Sequence, residues 1–235
     1  MLFQRPILDL WKYAHLAYFP DKLVGLPHVS TIEEGDDFGY SICLPDKVII
    51  SFQGTGTMIK GDAMGKVRDW ISNFSAFPHM DELKKNGKII HFGFYEGWVQ
   101  FKSHIDSLLS QPDQLKKDWY ITGHSRGGAI AALCARHITK NRNKPCSCVT
   151  YAAPAQGGKE YRNEMNMLNL DLTNVVHGYD IVPNLPPRQL GYRHAGKVYW
   201  WKEPWWHRFT HRIRDHIPGN YNKWIDKNAG EKYAT

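Results

Sequence analysis

The sequence lacks the features typical of membrane and repeat proteins. Its longest apolar runs are far too short to cross a bilayer, and no internal repeat or low-complexity block stands out in its 235 residues. The apolar N-terminal stretch is broken by Asp9, Lys12 and His15, which makes it a poor signal peptide. This stretch instead predicts an amphipathic first helix. We therefore expect one domain, residues 1–235, in a cytoplasmic protein.

Cysteine is also scarce, which argues against a disulfide scaffold or a zinc site. The chain has four cysteines: Cys43, Cys134, Cys146 and Cys148. A Cys-x-Cys pair at 146–148 lacks two further ligands at suitable spacing. His207 and His211 have the four-residue spacing of some metal ligands, but no H-E-x-x-H glutamate accompanies them. We expect reduced thiols, no metal and no cofactor.

Acidic residues are outnumbered by basic ones. The 30 lysines and arginines against 23 acids give a formal charge of +7. Such a surface favours anionic partners, including acidic lipid headgroups. No nucleic-acid-binding module is recognisable, so a nucleic-acid role would depend on charge alone. We therefore expect no nucleic-acid partner. Oligomeric state is not predictable here.

Residues 121–128, Ile-Thr-Gly-His-Ser-Arg-Gly-Gly, contain the most informative motif. Residues 119–122 favour a strand, and residues 128–135 favour a helix of small side chains. A G-x-S-x-G sequence between a strand and a helix is typical of a nucleophile elbow, where Gly123 and Gly127 permit a tight turn. This context favours Ser125 as a nucleophile over the alternative of an ordinary glycine-rich turn.

The rest of the pattern predicts an α/β fold with a mostly parallel central sheet flanked by helices. Strands are predicted at residues 47–52, 88–92, 119–122, 148–152, 174–177 and 197–201, and helices at 69–74 and 95–109. Ligands in such sheets bind outside the carboxyl ends of the strands. Gly54, Thr55, Ser125 and Asp180 are all predicted to lie at those ends.

Catalysis by a nucleophilic serine on this fold requires an acid and a histidine that come after the serine in the sequence. Asp180 follows a predicted strand, whereas the competing Asp171 is predicted to lie before it, at the wrong end. The candidate bases are His177, His194, His207, His211 and His216. His216, in a late loop-like segment, has a modest edge over His211. The side chain of His124 is expected to point away from Ser125.

An oxyanion intermediate requires two fixed hydrogen-bond donors. One is expected from the backbone N–H of Arg126, the residue after the nucleophile. The other is expected from the loop at residues 53–55, where Gly54 allows close approach. Thr55 can offer both its N–H and its hydroxyl.

Several segments, taken in chain order, resemble the motifs of one family. They are residues 50–55 (F-R-G-[ST]), 69–73 (D-W-x-x-[DN]), 91–94 (H-x-G-F), 123–132 (G-H-S-x-G-G-A), 151–154 (G-x-P) and 180–187 (D-x-V-P-x-L-P-P), then His216 with Tyr221. The chain thus resembles the class 3 lipases, typified by fungal triacylglycerol lipases. The resemblance implies Ser125, Asp180 and His216 as the catalytic triad, with Thr55 and Arg126 as oxyanion donors. Gln53 replaces the usual arginine.

The resemblance implies hydrolysis of a lipid ester. Alternatives are a phospholipase A1 or a soluble carboxylesterase on the same scaffold, or a non-catalytic lipid-binding module. Residues 57–65 form either a lid that contacts substrate through Met58, Ile59 and Met64, or a plain surface loop. Four tryptophans near basic residues, at 200, 201, 205 and 206, suggest contact with an anionic membrane. The interpretation that we prefer is that the first two alternate across a strand and the others pack beneath a loop.

Overall fold

The computed structural model describes residues 4–35, 37–55, 65, 68, 69, 71, 90–142, 145–206 and 212–230. Within these residues one sheet has seven strands, which lie in space in chain order. They are β1 (Val29–Glu34), β2 (Asp37–Cys43), β3 (Lys47–Phe52), β4 (Asp118–His124), β5 (Cys146–Tyr151), β6 (Leu170–His177) and β7 (Lys197–Trp201). The first three strands are antiparallel, and β3 to β7 are parallel. The predicted fold class is confirmed.

Helices from the connections between the parallel strands cover one face of the sheet. Helix α1 (Gln4–Leu16) opens the chain, and the crossovers contain α2 (Phe92–Leu109), the short α3 (Pro112–Leu115), α4 (Arg126–Asn141) and α5 (Lys159–Met167). Right-handed crossovers between parallel strands in chain order place their helices on the same side. One buried cluster accordingly joins α2, α4 and α5 to the sheet through residues such as Phe101, Ile130 and Tyr161.

The opposite face is covered by the two ends of the chain. Helix α1 packs beside the last helix, α6 (Pro218–Gly230), in a second buried cluster. Trp11 of α1 stacks on Tyr221 of α6 with ring centroids 5.3 Å apart, and its indole N–H donates to Asn222. The sheet face that the crossover helices do not cover is thus covered by α1 and α6, which are far apart in the sequence.

The carboxyl ends of β3, β4 and β6 meet at one edge of the sheet, so that the loops after Phe52, His124 and His177 are neighbours, as predicted. The boundaries differ in places. Helix α2 begins at Phe92, inside the strand predicted for 88–92, and Ile90 forms only an isolated bridge. The hairpin of β1 and β2 was not predicted, because β1 lies at the sheet edge and buries no side chain fully.

No helix among the described residues is long and apolar enough to cross a membrane. All four cysteines are free thiols. Burial raises the pKa of the Cys134 and Cys148 thiols well above its ordinary value, because a thiolate loses solvation in the core. The described residues contain no group of ligands that could hold a metal ion. His207 and His211 lie outside them.

Candidate active site

Ser125 occupies a strained turn between β4 and α4. Its φ of 56° and ψ of −129° are unusual for a residue with a side chain. A Cβ at Gly123 would lie 2.4 Å from the carbonyl oxygen of Gly127, and a Cβ at Gly127 would lie 2.3 Å from that of Phe52. Only glycine fits at either position, so the two glycines bring strand and helix close enough to form the elbow.

The structure brings the three predicted triad side chains together. Nε2 of His216 lies 2.9 Å from Oγ of Ser125, and its Nδ1 lies 2.9 Å from Oδ2 of Asp180. All three residues are fully buried. The carboxylate accepts from Nδ1–H, which leaves the lone pair of Nε2 facing the serine hydroxyl. This tautomer is the one that can accept the serine proton.

Asp180 is held in place by two further donors. Its Oδ1 accepts the backbone N–H of Val182 at 2.9 Å, at the start of the Val182–Asn184 turn. Its Oδ2 accepts the hydroxyl of Tyr221 at 3.2 Å. These bonds stabilise a carboxylate that is fully buried. Tyr221 entered the sequence analysis only as part of a motif, and its contact with Asp180 was not predicted.

The competing residues lie elsewhere. Asp171 falls inside β6 rather than before it, near the amino end, where it pairs with Lys197 at 3.3 Å. Nε2 of His177 lies 3.5 Å from Oε1 of Glu203, and Nε2 of His194 bonds the carbonyl of Pro183 at 2.6 Å. His207 and His211 are outside the described residues. His124 bonds Tyr18 and the carbonyl of His216 rather than Ser125.

The loop after β3 lies against the elbow, where the second oxyanion donor is needed. A Cβ at Gly54 would lie 3.2 Å from Cβ of Ser125. The next residue, Thr55, has a buried hydroxyl that bonds no other atom in the described part of the chain. The other predicted donor, the backbone N–H of Arg126, starts helix α4 directly after Ser125. Helix N-termini favour negative charge.

Two side chains brace these donors. Gln53, which replaces the family's usual arginine, is buried and donates from Nε2 to the carbonyl of Ala17 at 2.9 Å. The loop at residues 53–55, named the oxyanion loop after its predicted role, is thereby tied to the end of the first helix by an uncharged group. The Arg126 guanidinium forms an ion pair with Asp37 and also donates to the carbonyl of Gly93 at 3.2 Å. It therefore links the start of α4 to β2 and α2.

The proposed lid and the tryptophan cluster have different outcomes. Met58, Ile59 and Met64 lie outside the described residues. Trp205 and Trp206 are 67% and 58% exposed, so the expectation that they pack beneath a loop is wrong. Trp201 is half-buried against Trp224, with ring centroids 5.1 Å apart.

Comparison with known proteins gives one family. A family model described as Lipase (class 3) matches residues 49–190. The secreted mono- and diacylglycerol lipase 1 of Fusarium solani is 34% identical over 136 residues, 57% of this chain and 40% of that protein. A lipase of Rhizomucor miehei is 29% identical over 142 residues, 57% of this chain and 38% of that protein. The chain thus spans less than half the length of these relatives.

Solved structures show the same fold. The triacylglyceride lipase of Rhizomucor miehei superposes with a TM-score of 0.67 at 21% identity, covering 84% of this chain and 80% of its own. A lipase of Rhizopus microsporus var. chinensis gives 0.65 at 24% identity, covering 86% and 75%. The family model spans more than half of the chain and includes both Ser125 and Asp180. The chain therefore belongs to the class 3 lipase family.

Proposed function

We propose that the protein is a serine hydrolase that cleaves carboxylic esters of lipids through an acyl-enzyme. One observation carries the proposal: a single imidazole, that of His216, lies 2.9 Å from the Ser125 hydroxyl and 2.9 Å from the Asp180 carboxylate. A serine hydroxyl needs an oriented base to attack a carbonyl at neutral pH. Ser125 is the nucleophile, His216 the base and Asp180 the residue that orients and charge-stabilises the base.

In the acylation step, Oγ of Ser125 attacks the ester carbonyl carbon while its proton passes to Nε2 of His216. The resulting imidazolium is stabilised by Asp180, and the carbonyl oxygen becomes an oxyanion. The N–H groups of Thr55 and Arg126 donate to that oxygen, with the Thr55 hydroxyl as a further donor. When the carbon–oxygen bond of the ester breaks, the alcohol leaves with the proton held on Nε2.

In the deacylation step, water attacks the acyl carbon and gives one proton to Nε2 of His216. The bond between the acyl carbon and Oγ of Ser125 then breaks, and Oγ recovers that proton. The fatty acid leaves and the enzyme returns to its starting state. Besides water, these two reaction steps need only the side chains and backbone groups already described.

A lipid substrate is supported by the relatives. The Fusarium solani protein is named a mono- and diacylglycerol lipase, and the Rhizomucor miehei protein a lipase. We therefore assign an acylglycerol or similar lipid ester as the substrate class. A phospholipase A1 or a carboxylesterase would use the same triad, and the acyl chain and headgroup distinguish these activities.

The central experiment is labelling with a serine-reactive phosphonate. Labelling at Ser125 that disappears in the Ser125→Ala variant supports the proposal. A purified, folded protein that neither labels nor hydrolyses esters is a non-catalytic binding module, which contradicts it. A series of esters of increasing acyl length then compares activities: preference for short, water-soluble esters contradicts a lipid substrate. Release of a fatty acid from the sn-1 position of a phospholipid indicates phospholipase A1.

A peripheral contact with an anionic lipid surface is part of this proposal. The exposed Trp205 and Trp206 lie shortly after β7, which ends at Trp201. A cavity of about 330 Å³, which includes Trp201 at the end of β7, is lined by Glu203, Asp215 and a larger number of cations from the loops and from α6. These cations are Lys202, Arg214, Lys223 and Lys227. Exposed indoles beside lysines suit a headgroup region, where each cation near an anionic surface contributes about 1 kcal/mol.

Flotation with vesicles tests this contact. The protein is expected to float with vesicles that contain phosphatidylserine more than with pure phosphatidylcholine. Reversing charge at Lys223 and Lys227 to glutamate should abolish the preference. Reversal at the exposed Lys116 and Lys159, which lie in the α3 region and on α5, removes the same charge from other surfaces and should not. Equal failure to bind both vesicles contradicts the contact.

A further inference from the structure

His124, the residue before the nucleophile, joins two parts of the site through its side chain. Its Nδ1 lies 2.7 Å from the hydroxyl of Tyr18, and its Nε2 lies 3.0 Å from the carbonyl oxygen of His216. His124 is fully buried and Tyr18 is 6% exposed. Neither bond was expected from sequence, since the partners are 106 and 92 residues away.

The direction of each bond follows from its chemistry. A carbonyl oxygen only accepts, so Nε2 of His124 carries the hydrogen and Nδ1 presents a lone pair. The Tyr18 hydroxyl must therefore donate to Nδ1. Burial and, to a smaller extent, the nearby His216 lower the pKa of His124 well below its ordinary value, so this imidazole is neutral.

The Tyr18 hydroxyl also receives a hydrogen bond from the oxyanion loop. The backbone N–H of Gly54 donates to it, which opposes the effect of burial in raising the pKa of Tyr18. A Cβ at Gly54 would lie 2.2 Å from this hydroxyl oxygen. The glycine is thus required for the tyrosine to reach the loop. A continuous series of hydrogen bonds, which we call the relay, runs from the Gly54 N–H through Tyr18 and His124 to the His216 carbonyl.

We propose that Tyr18 and His124 are positioning residues, which hold the oxyanion loop and the backbone of the catalytic base at a fixed separation. The inference depends on the proposed function, because it assigns a role within that reaction. The relay spans the elbow itself: His124 precedes Ser125, Gly54 precedes Thr55, and the accepting carbonyl belongs to His216. A shift of the loop relative to the base would lengthen at least one of its bonds.

The neutral state of His124 suits this role. Its ring centroid lies 4.9 Å from that of His216. When His216 accepts the serine proton it becomes positive, and a second positive ring at this distance would oppose that step. The Tyr18 hydroxyl occupies the Nδ1 lone pair of His124, so the bond to Tyr18 also favours the neutral ring.

Paired variants test the role. In His124→Gln the longer amide can place its NH2 where Nε2 stood and still donate to the His216 carbonyl. In His124→Asn the amide is too short to do so. Tyr18→Phe removes the hydroxyl from the relay. We expect kcat on a soluble ester to fall about tenfold in Tyr18→Phe and His124→Asn, with KM within about twofold, because one buried bond is lost in the reacting geometry. His124→Gln keeps the donor to the His216 carbonyl but loses the acceptor for the Tyr18 hydroxyl, so its kcat should fall about as far as that of Tyr18→Phe.

Tyr40→Phe is the matched control. Tyr40 is also buried, and its hydroxyl also bonds the chain near Tyr18, at the carbonyl of Tyr13, 2.8 Å away. Its loss should lower the unfolding midpoint without lowering kcat. If the His124 variants fail to fold, Tyr18→Phe against Tyr40→Phe carries the test.

The outcomes separate the two proposals. If the wild-type protein labels at Ser125 but Tyr18→Phe and His124→Asn keep kcat within twofold, the positioning role is wrong and the hydrolase remains. An unchanged kcat in His124→Gln also overturns it, as does an equal loss of kcat in Tyr40→Phe. A wild-type protein that does not label removes the proposed function, and this role with it.

Discussion

The Tyr221 hydroxyl donates to Oδ2 of Asp180 at 3.2 Å, and its own oxygen accepts the backbone N–H of His177 at 3.1 Å. Tyr221 thereby joins the last helix to the end of β6, where the acid of the triad is held. Burial and, to a smaller extent, the charge of Asp180 raise the pKa of this tyrosine well above its ordinary value, so it stays protonated and donates.

Removing this hydroxyl should slow the reaction. Tyr221→Phe leaves the buried Asp180 carboxylate with one donor fewer, and a carboxylate that is less well held stabilises the His216 imidazolium less. Since a bond to a charged group contributes about 1.5–3 kcal/mol, we expect kcat to fall about tenfold or more. Steady-state kinetics check this. Tyr199→Phe, at a half-buried ring packed on Trp224, is the control and should keep kcat.

The elbow should not tolerate a methyl group. Gly127→Ala would place a Cβ 2.3 Å from the Phe52 carbonyl oxygen, which is backbone and cannot rotate away. We expect a loss of about 3 kcal/mol or more in the free energy of unfolding. Urea denaturation measures it. Gly219→Ala, where a Cβ meets nothing within 4 Å, should change stability by less than about 1 kcal/mol. Equal effects at both positions would contradict the steric argument.

The ion pair between Arg126 and Asp37 should stabilise the start of α4. Their side chains are 24% and 12% exposed, so breaking the pair leaves a poorly solvated guanidinium. Asp37→Asn is expected to cost about 2–4 kcal/mol in unfolding free energy. Asp113→Asn breaks the exposed pair with Lys116 and should cost less than about 1 kcal/mol. The midpoints of urea unfolding compare them, and similar small shifts would show that Arg126 is not held by Asp37.

Local patterns predicted much of this structure, and contacts between distant segments account for most of what they missed. The elbow is a short-range motif, so residues 119–135 were sufficient to predict both the strand and the helix around Ser125. Asp180 followed from its place after a strand. By contrast, the bonds from Tyr18 to His124 and from Tyr221 to Asp180 join side chains whose sequence environments contain no sign of each other.

The misplaced details have physical causes too. Trp205 and Trp206 were expected under a loop because indoles are usually buried, yet both lie exposed after β7. Helix α2 starts earlier than predicted because Phe94 is buried in the same cluster as Trp98. Its apolar face therefore extends a turn beyond the periodicity at 95–109. Edge strand β1 offered no alternation of buried residues that could have indicated it.

Stability should fall with acid more steeply than the carboxylates alone require. Burial lowers the pKa of His91 from its ordinary 6.5 to about 4. Between these values the unfolded chain binds a proton at this ring and the folded protein does not. The free energy of unfolding should therefore decrease as pH falls from about 6.5 to 4, by up to about 1.4 kcal/mol per pH unit for this histidine.

His91→Gln removes that proton uptake, so its stability should depend less on pH in this window. Urea unfolding of both proteins at half-unit steps measures the difference, in which the carboxylate contributions cancel. Parallel curves across the window would show that the folded protein already protonates His91.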